Sequence, residues 1–234
     1  MAKRISVVLA ACNGAPYLPG QINSILPQLG ENDELVVSLD PSMDGSEVII
    51  SKIKDSRIRV VQGPGKGVIH NVENGLRCAE GEYIFLSDQD DIWFPEKLQT
   101  VMEEFKDSRI VLVIHDCKIV NDKLEIIEPS YFIWHKSKEG FWNNVVRNSY
   151  IGCCMAFHRR LLQNALPFPN DIPMHDQWLG LVANKTGQTV FLHKPLIAYR
   201  RHGSNLSSLS HSNIRKMVKW RLTLIKNLKE RGIL

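Results

Sequence analysis

The stretch "EYIFLSDQDDIW", residues 82–93, runs from an apolar, β-prone segment straight into three aspartates, Asp88, Asp90 and Asp91, and ends on Trp93. In an extended chain, residues two apart point to the same side, so Asp88 and Asp90 converge while Gln89 faces away. Two such carboxylates suit a hard divalent cation, Mn²⁺ or Mg²⁺, of the kind usually shared with substrate phosphates. The plainer alternative is that Asp90 or Asp91 caps the helix expected to begin near Pro95. Capping does not account for Asp88.

Working outward, the run is the fourth of a series. "RISVVLA", "DELVVSL", "RIRVVQ" and "EYIFLS" alternate with the helical patterns "YLPGQINSILPQL", "SEVIISKIK", "GVIHNVENGLRCA" and "PEKLQTVMEEFK". This alternation predicts βαβ units: an α/β fold with a Rossmann-like, mostly parallel central sheet flanked by helices, and ligands at the carboxyl ends of its strands. "RIVLVIHD" adds a further strand. Beyond about residue 117 the alternation stops, with strands expected at "CKIVND", "SYIGCCMAFH" and "TVFLHKPLIAYR" and helices near 158–165 and 176–185. "LPFPNDIPM" reads as a loop. "SNLSSLSHS", 204–212, reads as a hinge before the tail.

A chain of 234 residues with 44% hydrophobic content can fill a sizeable core. The start, "MAKRISVVLAACNG", reads as a buried first strand in preference to a secretion signal, and no segment approaches the roughly 18–20 apolar residues that cross a bilayer. A cytoplasmic location is therefore expected. Five cysteines without a CxxC pair argue against a disulfide framework or a structural zinc site. The +4 formal charge is uneven: residues 211–234 carry seven Lys/Arg against Glu230, leaving the body slightly acidic. "GPGKG", 63–67, lacks the full pattern of a nucleotide loop and reads as a turn opening a helix, with Lys66 a candidate for phosphate.

Six segments, "VVLAACNGAPYL", "DELVVSLDPSMDGS", "GKGVIHNVENGL", "GEYIFLSDQDDIWFPEKL", "MHDQW" and "YRRHGSN", resemble in order and spacing the family-2 glycosyltransferases of the GT-A fold, most nearly the rhamnosyltransferase-like branch, over about residues 4–205. The resemblance implies transfer of a sugar from a nucleoside-diphosphate sugar, UDP- or dTDP-linked, to an acceptor hydroxyl with inversion. It implies a metal, Mn²⁺ or Mg²⁺, held by Asp90 and His202, with Asp88 at the ribose or the metal's water shell. Asn13 and Asp40 match positions lining the nucleotide pocket, and Lys66 joins the donor-binding set. Asp176 matches the catalytic base that takes the acceptor's proton, and Gly152 the small residue between donor and acceptor; Trp178 either stacks on a sugar face or belongs to the core, as an indole at that helical spacing often does. Arg200 and Arg201 are candidates for the diphosphate. Where most relatives have two adjacent acids and Gly, this chain has Leu39, Asp40 and Pro41, which leaves the nucleobase open.

On this reading residues 1–210 form one catalytic domain, with a nucleotide-sugar half (1–116) and an acceptor half (117–210), followed by a basic amphipathic helix over 211–234. In that helix Met217, Val218, Leu222, Ile225 and Leu228 form an apolar stripe flanked by lysines and arginines. It either lies on an anionic membrane surface, making the protein peripheral at the inner face of the cell membrane, or folds back on the domain. A saccharide or lipid-linked acceptor in bacterial surface polysaccharide synthesis fits the first; nucleic acid does not fit, since the basic face is a single helix without a nucleic-acid-binding motif. The absence of QxxRW after "MHDQWLGL" favours single addition over processive synthesis. The competing classes are a catalytically silent nucleotide-sugar-binding module and a sugar-phosphate nucleotidyltransferase. The second expects basic residues in the loop after the first strand, where "AACNGAPYL" has none.

Overall fold

The computed structural model describes residues 4–202 and 214–234; the Ser-rich stretch 204–212, expected as a hinge, lies outside the described residues. Strands β1 (Ile5–Ala11), β2 (Glu34–Leu39), β3 (Ile58–Gln62) and β4 (Tyr83–Asp88) alternate with helices α1 (Leu18–Ile25), α2 (Ser46–Lys52) and α3 (Val68–Cys78). β1 pairs in parallel with β2 on one side and β4 on the other, with Ala10 opposite Asp88, and β2 pairs in parallel with β3. Strand order therefore reverses at β1. A crevice at the carboxyl ends of β1 and β4 follows from that reversal, and Asp88 stands at its lip.

After β4 come β5 (Ile92–Trp93), α4 (Lys97–Glu104), β6 (Ile110–Val120), β7 (Ile126–Glu128), α5 (Tyr131–His135) and α6 (Phe141–Val146). They are followed by β8 (Met155–His158), α7 (Leu162–Ala165), α8 (His175–Thr186), β9 (Gln188–Arg200) and α9 (Ile214–Glu230). The sheet runs β3-β2-β1-β4-β8-β6-β9-β5, with β7 on β6. It is parallel through β3-β2-β1-β4, as the alternation predicts, and mixed beyond, because β8 enters antiparallel to both β4 and β6. "RIVLVIHD" and "CKIVND" are one continuous strand, β6, which pairs in parallel with β9. "SYIGCC" is not strand: its glycine and cysteines make a short 3-10 turn before β8.

Burial follows the sequence pattern. β1, β2 and β4 are near-continuous apolar runs buried on both faces, as strands covered by helices on both sides must be. α8 is buried nearly all round from Gln177 to Ala183. Gly180 is a glycine for a packing reason, since a Cβ there would come 2.3 Å from the Tyr150 ring. α9 folds back through its second half: Leu224 and Leu228 are fully buried, and Asn227 donates to Asp171 Oδ1 at 2.9 Å. Each such leucine contributes roughly 1.5–3 kcal/mol to that docking.

Candidate active site

Gln89 clips the ends of β1 and β4 together, accepting from the Cys12 N–H at 2.8 Å and donating to the Cys12 carbonyl at 3.0 Å. With Gln89 turned towards β1, Asp88 and its neighbours face the crevice. Burial first, and then the charges of Asp90 and Asp176, push the Asp88 carboxyl up to about 7. Asp91 is likewise raised well above the ordinary carboxylate value, again mainly by burial and then by Asp90 and Asp88. One Asp91 oxygen accepts the Arg200 N–H at 3.0 Å, and the other is buried without a partner. Capping is not its task. α4 begins after Glu96 with no side-chain cap.

Under the acids lies a buried cation. Lys97 has no exposed surface; its Nζ donates to the Cys153 carbonyl at 2.8 Å and sits 3.8 Å from the centre of the Trp93 ring. Burial lowers its pKa to about 8, while Asp91 and Asp88 hold it up. One oxygen each from Asp88 and Asp91 and the Cys153 sulfur lie within 4.8 Å of one another. Asp88 and Asp91 therefore share a buried ammonium.

Asp90 meets the end of β9. Its Oδ2 is 2.8 Å from His202 Nε2, and the His202 ring stacks on Tyr17 with centroids 4.8 Å apart. Arg200 braces this corner, donating from Nε to the Asp90 carbonyl at 2.7 Å and from Nη1 to the Asp122 carbonyl at 2.6 Å. Two of its guanidinium donors thus hold the loop.

Asp176 enters from the first turn of α8, near enough to Asp88 for its charge to contribute to the upward shift of that carboxyl. Burial raises its own pKa to about 6, against the pull of hydrogen bonds from the backbone N–H groups of Gln177 and Gly152 and from the Asn148 amide, 3.1 Å from Oδ1. A carboxylate with that pKa is half-tuned to remove a proton near neutrality. His175 beside it is buried and held neutral, its pKa lowered to about 4 by burial.

The sequence profile described as Glycosyl transferase family 2 matches residues 6–166. The chain belongs to that family. An uncharacterized glycosyltransferase of Nostoc, alr2836, is 28% identical over 214 residues, covering 86% of this chain and 66% of that protein. The Escherichia coli protein named UDP-Glc:alpha-D-GlcNAc-diphosphoundecaprenol beta-1,3-glucosyltransferase WfgD is 25% identical over 218 residues, covering 91% of this chain and 83% of the relative. Among solved structures, Staphylococcus aureus TarS 1–349 in complex with UDP-GlcNAc superposes with a TM-score of 0.74 at 20% identity, over 96% of this chain and 66% of that one. This likeness shows the GT-A fold. The family-2 chain thus spans just under two thirds of the Nostoc relative and of TarS 1–349.

Within the family-2 frame, Asp90 meets His202, Asp88 lies near enough to Asp90 and Asp176 to feel both charges, and the Gly152 N–H bonds Asp176. At Gly152 a Cβ would come 2.8 Å from His175 Nε2, so the glycine admits that ring. Asp40 is buried beside the crevice and accepts the Gly65 N–H at 2.9 Å, holding the Gly-rich turn. Asn13, left-handed at φ 49°, accepts the Met43 N–H at 2.9 Å and so joins the loops after β1 and β2. Lys66 is exposed and has no bond to the acids; it borders a groove with His70, Glu73 and Phe168. Trp178 is a correction. It is fully buried, its indole N–H donates to the Ala165 carbonyl at 2.9 Å and Arg231 covers its ring, so no sugar reaches it.

Two residues of the site escaped the sequence reading. Lys97 falls on one helical stripe with Val101 and Phe105, all buried, and that spacing was the available signal. Asn148 sits in an irregular stretch after α6 and carries no local signature.

Proposed function

We propose that this family-2 glycosyltransferase moves a sugar from a UDP- or dTDP-linked donor to a hydroxyl of a saccharide or lipid-linked acceptor, with inversion, in bacterial surface polysaccharide synthesis. The observation that carries the proposal is the nearness of Asp176 to Asp88, whose carboxyl feels the charges of both Asp90 and Asp176, with Asp90 in turn 2.8 Å from His202. Inversion needs a base on the acceptor side and a leaving diphosphate on the other. Asp176 takes the hydroxyl proton on its carboxylate as the oxygen attacks the anomeric carbon. Asn148 and the Gly152 N–H keep that carboxylate aimed. Asp40 and Asn13, fixed by the loops they join, wall the nucleobase side, and Asp88 meets the ribose.

The donor set fits a divalent cation. Asp91 keeps a buried oxygen without a partner, and Asp90 Oδ2 and His202 Nε2 lie 2.8 Å apart. Asp90 and His202 would hold the ion, and their mixed oxygen and imidazole character suits Mn²⁺ better than Mg²⁺. When bound, it stabilises the charge that develops on the departing diphosphate. Support for the ion comes from the Pyrobaculum calidifontis mannosyltransferase PcManGT, solved with GDP-Man and Mn²⁺ and superposing at a TM-score of 0.63. Support for a UDP donor and a lipid-diphosphate acceptor comes from the name of the Escherichia coli relative.

Thermal denaturation with UDP, dTDP or GDP, with and without Mn²⁺, tests the proposal. We expect one nucleotide to raise Tm by several degrees only when Mn²⁺ is present, because ligands of the native state stabilise by mass action. A Tm indifferent to all three nucleotides with the metal would overturn it.

A further inference from the structure

A second surface stands out beside the acceptor side of the crevice. On α5 Ile133 is 79% exposed, with Trp134 next to it; on α6 Trp142 is 61% and Val146 60% exposed; on α9 Val218 and Leu222 face outward, Leu222 at 63%. These helices are joined edge to edge. Arg147, after α6, donates from Nε to His135 Nε2 of α5 at 3.3 Å, and Arg221 of α9 donates from Nε to the Val146 carbonyl at 3.1 Å. On α9, positions 218, 222, 226 and 229 share one helical face, opposite the buried Leu224 and Leu228. The apolar patch is therefore continued by lysines: Lys219, Lys226 and Lys229, with Lys136 and Lys138 in the turn between α5 and α6, against Glu139 and Glu230.

Exposed tryptophans set among apolar side chains and rimmed by lysines match the chemistry of a lipid interface: indoles settle at the headgroup level and ammonium groups meet anionic phosphates. The charge excess argues against a second copy of the same basic face, which would repel itself. No helix among the described residues is long and apolar enough to cross a membrane, so contact through this face would be peripheral. We infer that α5, α6 and the outer side of α9 form one docking face for an anionic lipid leaflet. Asn148, one residue beyond Arg147 and bonded to Asp176, places this face beside the proposed base. The docking stands on the surface alone; only the idea that it presents a lipid-linked acceptor to Asp176 rests on the proposed function.

The test is co-sedimentation of the full chain with phosphatidylcholine vesicles, with and without phosphatidylglycerol. The parent should sediment with the anionic vesicles, be released by high salt, and ignore the neutral ones. Trp142→Ser with Leu222→Ser, and separately Lys219→Glu with Lys229→Glu, should each weaken partitioning by about tenfold or more. Both variants should keep the parent's nucleotide-dependent Tm shift, which separates failure of this inference from failure of the active-site proposal. Equal partitioning by parent and variants would overturn the docking face, as would a parent that ignores anionic vesicles. So would a parent dimer that the Trp142→Ser, Leu222→Ser variant turns into a monomer.

Discussion

Asp176→Asn separates the two consequences of burying that carboxylate. Folding raises its pKa from the ordinary value of 3.8 to about 6. Between those values the native protein binds more protons than the unfolded chain, so the contribution of Asp176 to stability is complete below about pH 4 and is lost as pH rises through about 6. At pH 8 the ionised side chain costs up to about 3 kcal/mol, two pKa units at about 1.4 kcal/mol each. Partial solvent exposure trims this to about 1–2 kcal/mol. Asparagine keeps an oxygen for the Gln177 N–H and carries no charge. The variant should therefore melt roughly 3–6 °C above the parent at pH 8, without added metal, and the gap should close by about pH 4. Its transfer rate should fall by about 10²–10⁴-fold, the usual worth of a positioned base. Calorimetry across pH and a sugar-transfer assay read the two effects separately. Transfer at the parent rate would refute the base assignment; a Tm gap that ignores pH would refute the buried-charge account.

Three further outcomes are expected. In the parent, transfer should decline as pH falls through about 6, because protonation removes the base, and Asn148→Ala should move that limb upward by as much as about one unit. The alanine deletes a donor to the charged form, which raises a carboxylate pKa; a pH–rate profile superposable on the parent's would contradict it. Asp90→Ala should abolish the Mn²⁺ dependence of nucleoside-diphosphate binding while Asp176→Asn retains it, as titration calorimetry would show; retained Mn²⁺ dependence in Asp90→Ala would remove Asp90 from the metal site. Gly180→Ala should destabilise the fold by about 1–3 kcal/mol, since its Cβ meets the Tyr150 ring at 2.3 Å, and a denaturation midpoint equal to the parent's would show that the ring moves aside freely.

The legible part of this molecule is what depends on local pattern. Doubly buried parallel strands are continuous apolar runs, so β1, β2 and β4 and the helices between them were readable from "RISVVLA" to "EYIFLS", and with them the place of Asp88 at a strand's carboxyl end. The antiparallel entry of β8 was not, because its partners β4 and β6 are set by pairings between residues some 40–75 positions apart that leave no periodic trace. Trp178 shows the same divide at a single residue. Its spacing in "MHDQW" is compatible with a ring facing either the crevice or the core, and only the packing of Ala165 and Arg231 against it decides for the core.

The acidic cluster shows why local chemistry was enough to find the site but not to apportion it. Three carboxylates in four residues repel one another whatever the fold, so their clustering already pointed to a compensating charge. Chain geometry then divides the work. β9 returns to give Asp91 a backbone N–H and Asp90 an imidazole, and α4 slides Lys97 beneath. Lys97 does not offset the cost of burying these acids: burial first, and then their mutual repulsion, pushes Asp88 up to about 7 and raises Asp91, one of whose oxygens is buried without a hydrogen-bond partner. On the proposed reading, a cation held by Asp90 and His202 at this edge would favour the charged carboxylates and so return what burial takes away.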